Sequence, residues 1–191
     1  MATDTATLFF SMLALIALAG AAVTLLALVA SKLGLGAADA VLAEVRPYAL
    51  ALAALVAVTS MLGSLYMSEV AGFEPCHYCW LQRYVMYPLA VVLTVAAVFR
   101  ATWIKFIGIP AALGGLAISI RHYWIQVYPD SGGSCDPDVP CNLRYVDEFG
   151  FVSIPFMAGC GFVAIAALLL VARRGEQPVP TTDAVLEGTP A

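Results

Sequence analysis

Charge is what this sequence has least of. Asp, Glu, Lys and Arg make up 12% of its 191 residues, about half the ~25% of an ordinary soluble domain. A net charge of −4 and a pI near 5.0 leave no basic footprint for a polyanion, which excludes a nucleic-acid binder. The long apolar runs do not alternate with polar residues, so the strands of a membrane β-barrel are excluded as well. Internal repeats and heptads are also lacking. What the chain has is apolar residues, 62% of the total, with a mean hydropathy of +0.90. A body of this length leaves much of its surface exposed and cannot hide that excess. A soluble globular domain and a disordered chain are therefore both excluded, and the sequence reads as an all-α integral membrane protein.

A hydrocarbon core about 30 Å thick needs roughly 20 mostly apolar residues per helix. Five stretches meet that requirement: residues 8–30, 48–67, 80–99, 103–120 and 151–172. The third carries Gln82 and Arg83 in its first turns, and the fourth continues through His122-Tyr123-Trp124 to Tyr128. The first reads as a retained span rather than a cleaved signal peptide, because residues 1–7 contain no Lys or Arg and do contain Asp4. Residues 31–47 read as a Gly- and Ala-containing connection. Residues 173–191, rich in Pro, Thr and small side chains, read as a short disordered tail.

Basic residues set the expected orientation. With the amino terminus outside, the inner side collects Lys32, Arg46, Arg100, Lys105, Arg173 and Arg174, and the outer side holds only Arg83, Arg121 and Arg144. Trp80, Trp103 and Trp124 fall near span ends, where interfacial anchors belong. The outer face then owns two substantial loops, residues 68–79 and 121–150.

Four of the five cysteines lie in those loops: Cys76, Cys79, Cys135 and Cys141. An extracytoplasmic compartment permits disulfides. Cys160, within the last span, reads as a small packing residue. Cys76-His77-Tyr78-Cys79 has the C-x-x-C spacing, and Pro75 ahead of it favours a helix start, so both sulfurs are expected in a helical first turn. Unpaired N–H groups and the positive dipole end there stabilise a thiolate, the state that makes a pair reducible and oxidising. Cys135 and Cys141 lie in a loop that Pro129, Gly132, Gly133, Pro137 and Pro140 keep from forming a regular helix. A bridge on such a loop suits exchange with a visiting thiol and can swing toward the first pair; a simple loop staple is the plainer alternative.

Arg83 follows Cys79 by four positions and so lies one turn deeper on the same face. A cation within a span is costly. Either it snorkels outward as an anchor, or it stabilises the Cys79 sulfur and an acceptor that becomes anionic. Arg121 reads as an interfacial anchor. His122 is either solvated at the interface or a hydrogen-bond donor to a quinone carbonyl.

The run Cys76-His-Tyr-Cys79-Trp-Leu-Gln-Arg83-Tyr-Val-Met-Tyr-Pro88 resembles the C-x-x-C-W-x-Q-R-x-x-M-Y-P stretch of the DsbB and BdbC disulfide-bond formation proteins. Gly150-Phe-Val-Ser-Ile-Pro155, after a second cysteine pair, is also similar to theirs. The resemblance covers about residues 48–172. It implies a DsbB-type four-helix transmembrane bundle over 48–172, which makes residues 1–47 an extra N-terminal helix and inner loop. It also implies a thiol:quinone oxidoreductase of the bacterial cell membrane, with the amino terminus and cysteine loops extracytoplasmic and the carboxyl terminus cytoplasmic. Cys76 and Cys79 would be the quinone-proximal pair, with Cys79 meeting the quinone. Cys135 would form the mixed disulfide with a DsbA- or BdbD-like thioredoxin-fold thiol oxidase, and Cys141 would resolve it. Arg83 matches the family's quinone-facing arginine, and His122 resembles a histidine that some members place near the quinone. The cofactor would be ubiquinone or menaquinone, bound between the outer ends of the third and fourth spans. The Cys135–Cys141 spacing is short, as in the Gram-positive type.

Three rivals remain at this stage. A vitamin-K-epoxide-reductase-like enzyme uses the same logic, but its quinone-facing C-x-x-C falls in a late helix. A four-cysteine zinc site would make the protein a structural or transport element. A channel or receptor would use both pairs as structural bridges.

Overall fold

The computed structural model describes residues 2–129, 135 and 139–172. The expected tail, 173–191, lies outside the described residues. Among the described residues six α-helices follow one another: α1 (Ala2–Lys32), α2 (Gly36–Val45), α3 (Ala49–Glu69), α4 (His77–Val98), α5 (Lys105–Val127) and α6 (Ile154–Val171). A single 3₁₀ turn, Thr102–Ile104, leads into α5. Five of the helices (all but α2) are long and apolar enough to cross a membrane. The chain is thus a multi-pass helical membrane protein, with spans where continuous hydropathy placed them.

The connection expected over 31–47 is instead mostly α2. Ala37, Ala38, Ala40 and Ala43 favour helix, and Ala38 and Leu42, four apart, bury one face. Gly34, at φ 83°, closes α1, with the Leu35 N–H reaching back to the Ala30 carbonyl at 3.1 Å. At ten residues α2 is too short to show as a span.

Helix α6 is the hub and the most buried of the five spans. It packs against α1, α3 and α5; α4 completes the four-helix unit by packing between α3 and α5. The main core runs through Leu42, Ala53, Leu93, Phe162, Ile165 and Leu169. Close approach of α5 to α6 depends on glycine: a Cβ at Gly115 would stand 2.3 Å from the Phe162 ring, and one at Gly108 2.7 Å from Leu169.

Helix α1 is joined to this unit along one stripe. Thr7, Ser11, Ala21, Thr24 and Ala27 are buried, at spacings of three and four apart from one gap of ten residues, close to three helical turns. The Ser11 hydroxyl donates to the Met157 sulfur at 3.5 Å, and that of Thr7 to Glu148 Oε1 at 3.0 Å. Glu148 opens a tight turn in which Glu148 and Val152 exchange both backbone hydrogen bonds. Phe149 and Gly150 both take positive φ to close it, which is why glycine stands at the second position.

Candidate redox site

Helix direction brings the start of α4, the end of α5 and the 139–152 segment to one end of the molecule. Cys76 is extended (φ −70°, ψ 172°), as an N-cap residue is, and the chain turns helical at His77. Cys76 is thus the N-cap of α4 rather than a member of its first turn. Its sulfur accepts the Cys79 backbone N–H at 3.3 Å. The Cys79 sulfur lies 2.8 Å from it, and the two are not bonded to each other.

Cys135 and Cys141 form a disulfide. The sequence predicts an exposed, swinging tether for this bridge. Instead Cys141 is 2% exposed and shares one apolar cluster with Cys76 and Ile125, bordered by Tyr78, Cys79, Cys135 and Val139. Residues 130–134 and 136–138, which carry Gly132, Gly133 and Pro137 of the expected tether, lie outside the described residues. Cys135 remains partly exposed. Because these two sulfurs are spent on each other, the four-thiolate zinc site is excluded in this state.

His122 is 1% exposed, which removes the reading of a solvated interfacial histidine. Its Nε2 lies 3.1 Å from the Cys141 carbonyl and 3.5 Å from the Cys76 sulfur, and Tyr78 stacks on its ring at 5.6 Å. A carbonyl only accepts, so Nε2 carries the proton in this contact. Nδ1 is buried with no partner among the described residues. The thiolate of the reduced pair belongs on Cys76, whose thiol is held well below its ordinary range. The Cys79 thiol donating to it is the largest cause; His122 and the Cys79 N–H add to it, against the opposing effect of burial.

Arg83 faces the other way. Its Nε donates to Ser64 Oγ and its Nη2 to the Ser64 carbonyl, both at 3.0 Å, while Tyr87 donates to the same hydroxyl at 3.3 Å. The guanidinium sits 5.2 Å from the Trp80 ring centre. Ser64, a polar residue in the last turns of an apolar span, is the signal that sequence reasoning missed. Gln82, buried, donates to Ser119 at 3.0 Å and ties α4 to α5.

Cys79 and Arg83 line a cavity of about 390 Å³. Its remaining walls come from α1, α3, α6, the 73–75 segment and Tyr145, so it lies on the α3 side of α4 and not between the outer ends of α4 and α5. His122, on α5, faces the cysteine cluster and is not among the lining residues. Packing decides which side of α4 opens: Gln82–Ser119 closes the α5 side, whereas α1, α3 and α6 leave a space between them on the other. The walls are mostly apolar, with Arg83, the Glu74 carboxyl and the Cys79 sulfur as their reactive or charged groups, a donor set in which the guanidinium and the sulfur suit a quinone head group. Cys76, Cys79 and His122 also bring three ligand atoms within 4.8 Å, the makings of a soft-metal site.

A family model described as disulfide bond formation protein DsbB matches residues 46–172. Among curated proteins, the chain is similar to disulfide bond formation protein C of Bacillus subtilis, 44% identical over 113 residues, covering 58% of this chain and 82% of that one. It is similar to a probable disulfide formation protein of Oceanobacillus iheyensis, at 42% over 121 residues and 62% and 83% coverage. A probable disulfide formation protein C 2 of Bacillus anthracis is 38% identical over 128 residues, with 66% and 91% covered. No solved structure matches the chain significantly.

Proposed function

Because the chain belongs to the DsbB family of disulfide bond formation proteins, we propose that it is a membrane thiol:quinone oxidoreductase that reoxidises a DsbA-like thioredoxin-fold partner. The coarser statement, a membrane protein-disulfide oxidoreductase, follows from the family. The finer one rests on a single observation: both cysteine pairs meet in one buried cluster, and Cys79 also lines an apolar cavity beside Arg83.

The exchange is balanced in three steps. A reduced partner attacks Cys135, the more accessible sulfur of its bridge, and Cys141 leaves as thiolate. The partner's second thiol, and not Cys141 as the resemblance implies, resolves the mixed disulfide, because attack by Cys141 would only re-form the starting bridge; the partner gains a disulfide and Cys135 and Cys141 become a dithiol. Interchange with an oxidised Cys76–Cys79 pair then re-forms Cys135–Cys141 and leaves Cys76 and Cys79 reduced, the combination of states seen here. Cys76, the N-cap in contact with His122, is the sulfur on the side of the second pair. Cys79 is the sulfur on the cavity side.

A bound quinone supplies a two-electron, two-proton acceptor. For it the chain provides position and charge. Ser64 and Trp80 hold the Arg83 guanidinium at the cavity wall, where a fixed cation stabilises developing negative charge without reorganising. A soluble dithiol donor and a lipid-dissolved acceptor explain why the catalyst sits in a membrane.

Purified protein mixed with quinone and a reduced thioredoxin-fold substrate tests this reading. Cys79→Ser and Cys135→Ser should each abolish quinone reduction, and Cys160→Ser should leave it nearly intact. A fully active Cys79→Ser variant would falsify the proposal. A second reading, zinc on Cys76, Cys79 and His122, has the convergence of ligand atoms in its favour. Zinc-bound thiolates stand about 3.8 Å apart, so the sulfurs would have to separate by about 1 Å. Stoichiometric zinc in the purified protein, with no quinone reduction, would establish that reading instead.

A further inference from the structure

We propose that helix α1 completes the acceptor cavity and, with α3, forms the lipid-facing portal through which the apolar tail of the acceptor passes, so that α1 selects acceptors by their tails. The proposal rests on the quinone reading above. The family match begins at residue 46, so nothing about the shared bundle accounts for α1.

Phe10, Leu13, Ala14, Ile16 and Ala17 of α1 line the same cavity as Cys79 and Arg83. Without them the space would be an open groove among α3, α4 and α6. The helix is fixed in this place by Thr7–Glu148 and Ser11–Met157. Phe10 also fills the notch left by Gly63, where a Cβ would come within 2.9 Å of its ring.

The cavity is long as well as apolar. Its lining on α3 runs from Met67 to Leu55, twelve residues or about 18 Å of helix. Cys79, Arg83 and Met67 stand at the cysteine end. At the deep end two of its lining residues also face outward: Ile16 is 64% exposed and Leu55 61%. Both lie within spans, where an exposed side chain meets hydrocarbon. A head group at Cys79 with a tail leaving between Ile16 and Leu55 fits this shape; a compact, tail-less acceptor would leave the deep end unused.

The test compares a long-tailed and a short-tailed benzoquinone as acceptors for the full-length protein with its reduced thioredoxin-fold substrate. Ile16→Trp narrows the portal at an exposed position where it need not disturb packing. It should lower the ratio of kcat/KM for long-tailed over short-tailed quinone by about tenfold, the scale of steric discrimination in an apolar pocket. Leu26→Trp, equally exposed on α1 but away from the cavity, should leave that ratio unchanged. Independently of turnover, a long-tailed quinone with a photoreactive group on its tail should label residues 13–17 in the wild type. Labelling of α5 instead, or an Ile16→Trp ratio equal to that of Leu26→Trp, overturns the role of α1 while leaving the quinone reading intact. A wild type that reduces neither quinone overturns the reading beneath it.

Discussion

At the residue scale, Cys76 and Arg83 divide the chemistry between two faces of one helix end. With the Cys76 thiol depressed in the folded, reduced protein and near ~8.5 in the unfolded chain, its proton is lost earlier in the native state. Linkage then makes the thiolate's contribution to stability complete above the unfolded value and progressively smaller as pH falls toward the folded one. The reduced protein should therefore become more heat-stable as pH rises from mildly acidic toward ~8.5, and Cys76→Ser should flatten that slope. Unfolding midpoints across pH, with thiolate absorbance followed alongside, check this; an unchanged slope in the variant would place the thiolate elsewhere. Arg83 makes a different demand. Its two bonds to Ser64 use the fork of a guanidinium, which an ammonium does not reproduce. Arg83→Met should cost about 10²-fold in quinone reduction, with Arg83→Lys recovering only part of it and the thiol exchange between the cysteine pairs persisting. Cys76, Cys79, Cys135, Cys141 and Arg83 stand out in the sequence as candidates because each has unusual chemistry for its place in an apolar chain. The position of His122 is not legible there. Thirteen residues before Cys135, it carries no sign of which neighbour its ring meets, and only the fold of the 139–141 segment brings the Cys141 carbonyl to it.

At the scale of helices, five spans were readable because each is a continuous apolar run, a signal that needs no partner to be seen. Their ends shifted by a few residues where caps intervened, as at Cys76. Helix α2 escaped because alanine-rich amphipathic turns between two spans look like a linker in hydropathy. The packing of α5 on α6 was equally hidden, since glycines in a membrane helix announce close approach without naming the partner. Gly115 and Gly114 make that partner testable. A Cβ at Gly115 meets the fully buried Phe162, whereas one at Gly114 meets nothing within 4 Å. Gly115→Ala should destabilise by about 1–3 kcal/mol through overpacking, and Gly114→Ala should be close to neutral. Unfolding midpoints in the same detergent compare the two; equal effects would mean that helix propensity, not contact with Phe162, controls this interface.

At the scale of the whole molecule, the number of spans and the distribution of charge constrain one another. Five crossings place the start of α1 and the end of α6 on opposite sides of the bilayer. They also gather Lys32, Arg46, Arg100 and Lys105, at the ends or starts of α1, α3, α4 and α5, on one side. The end holding both cysteine pairs has Arg83, Arg121 and Arg144 together with Glu69, Asp147 and Glu148. On the positive-inside bias we propose that the cysteine end faces outward, where oxidising chemistry is possible and a soluble partner can arrive. The added helix matters here: a four-span bundle alone would put residue 46 and the end of α6 on the same side, and α1 carries the amino terminus across to join the cysteines. A cysteine introduced at Leu35, exposed at the basic end, should resist a membrane-impermeant maleimide in intact cells and react once the membrane is opened. One introduced at Val70, exposed at the cysteine end, should react in both conditions. The reverse pattern would put the disulfide chemistry on the reducing side of the membrane, and the oxidase reading would fall with it.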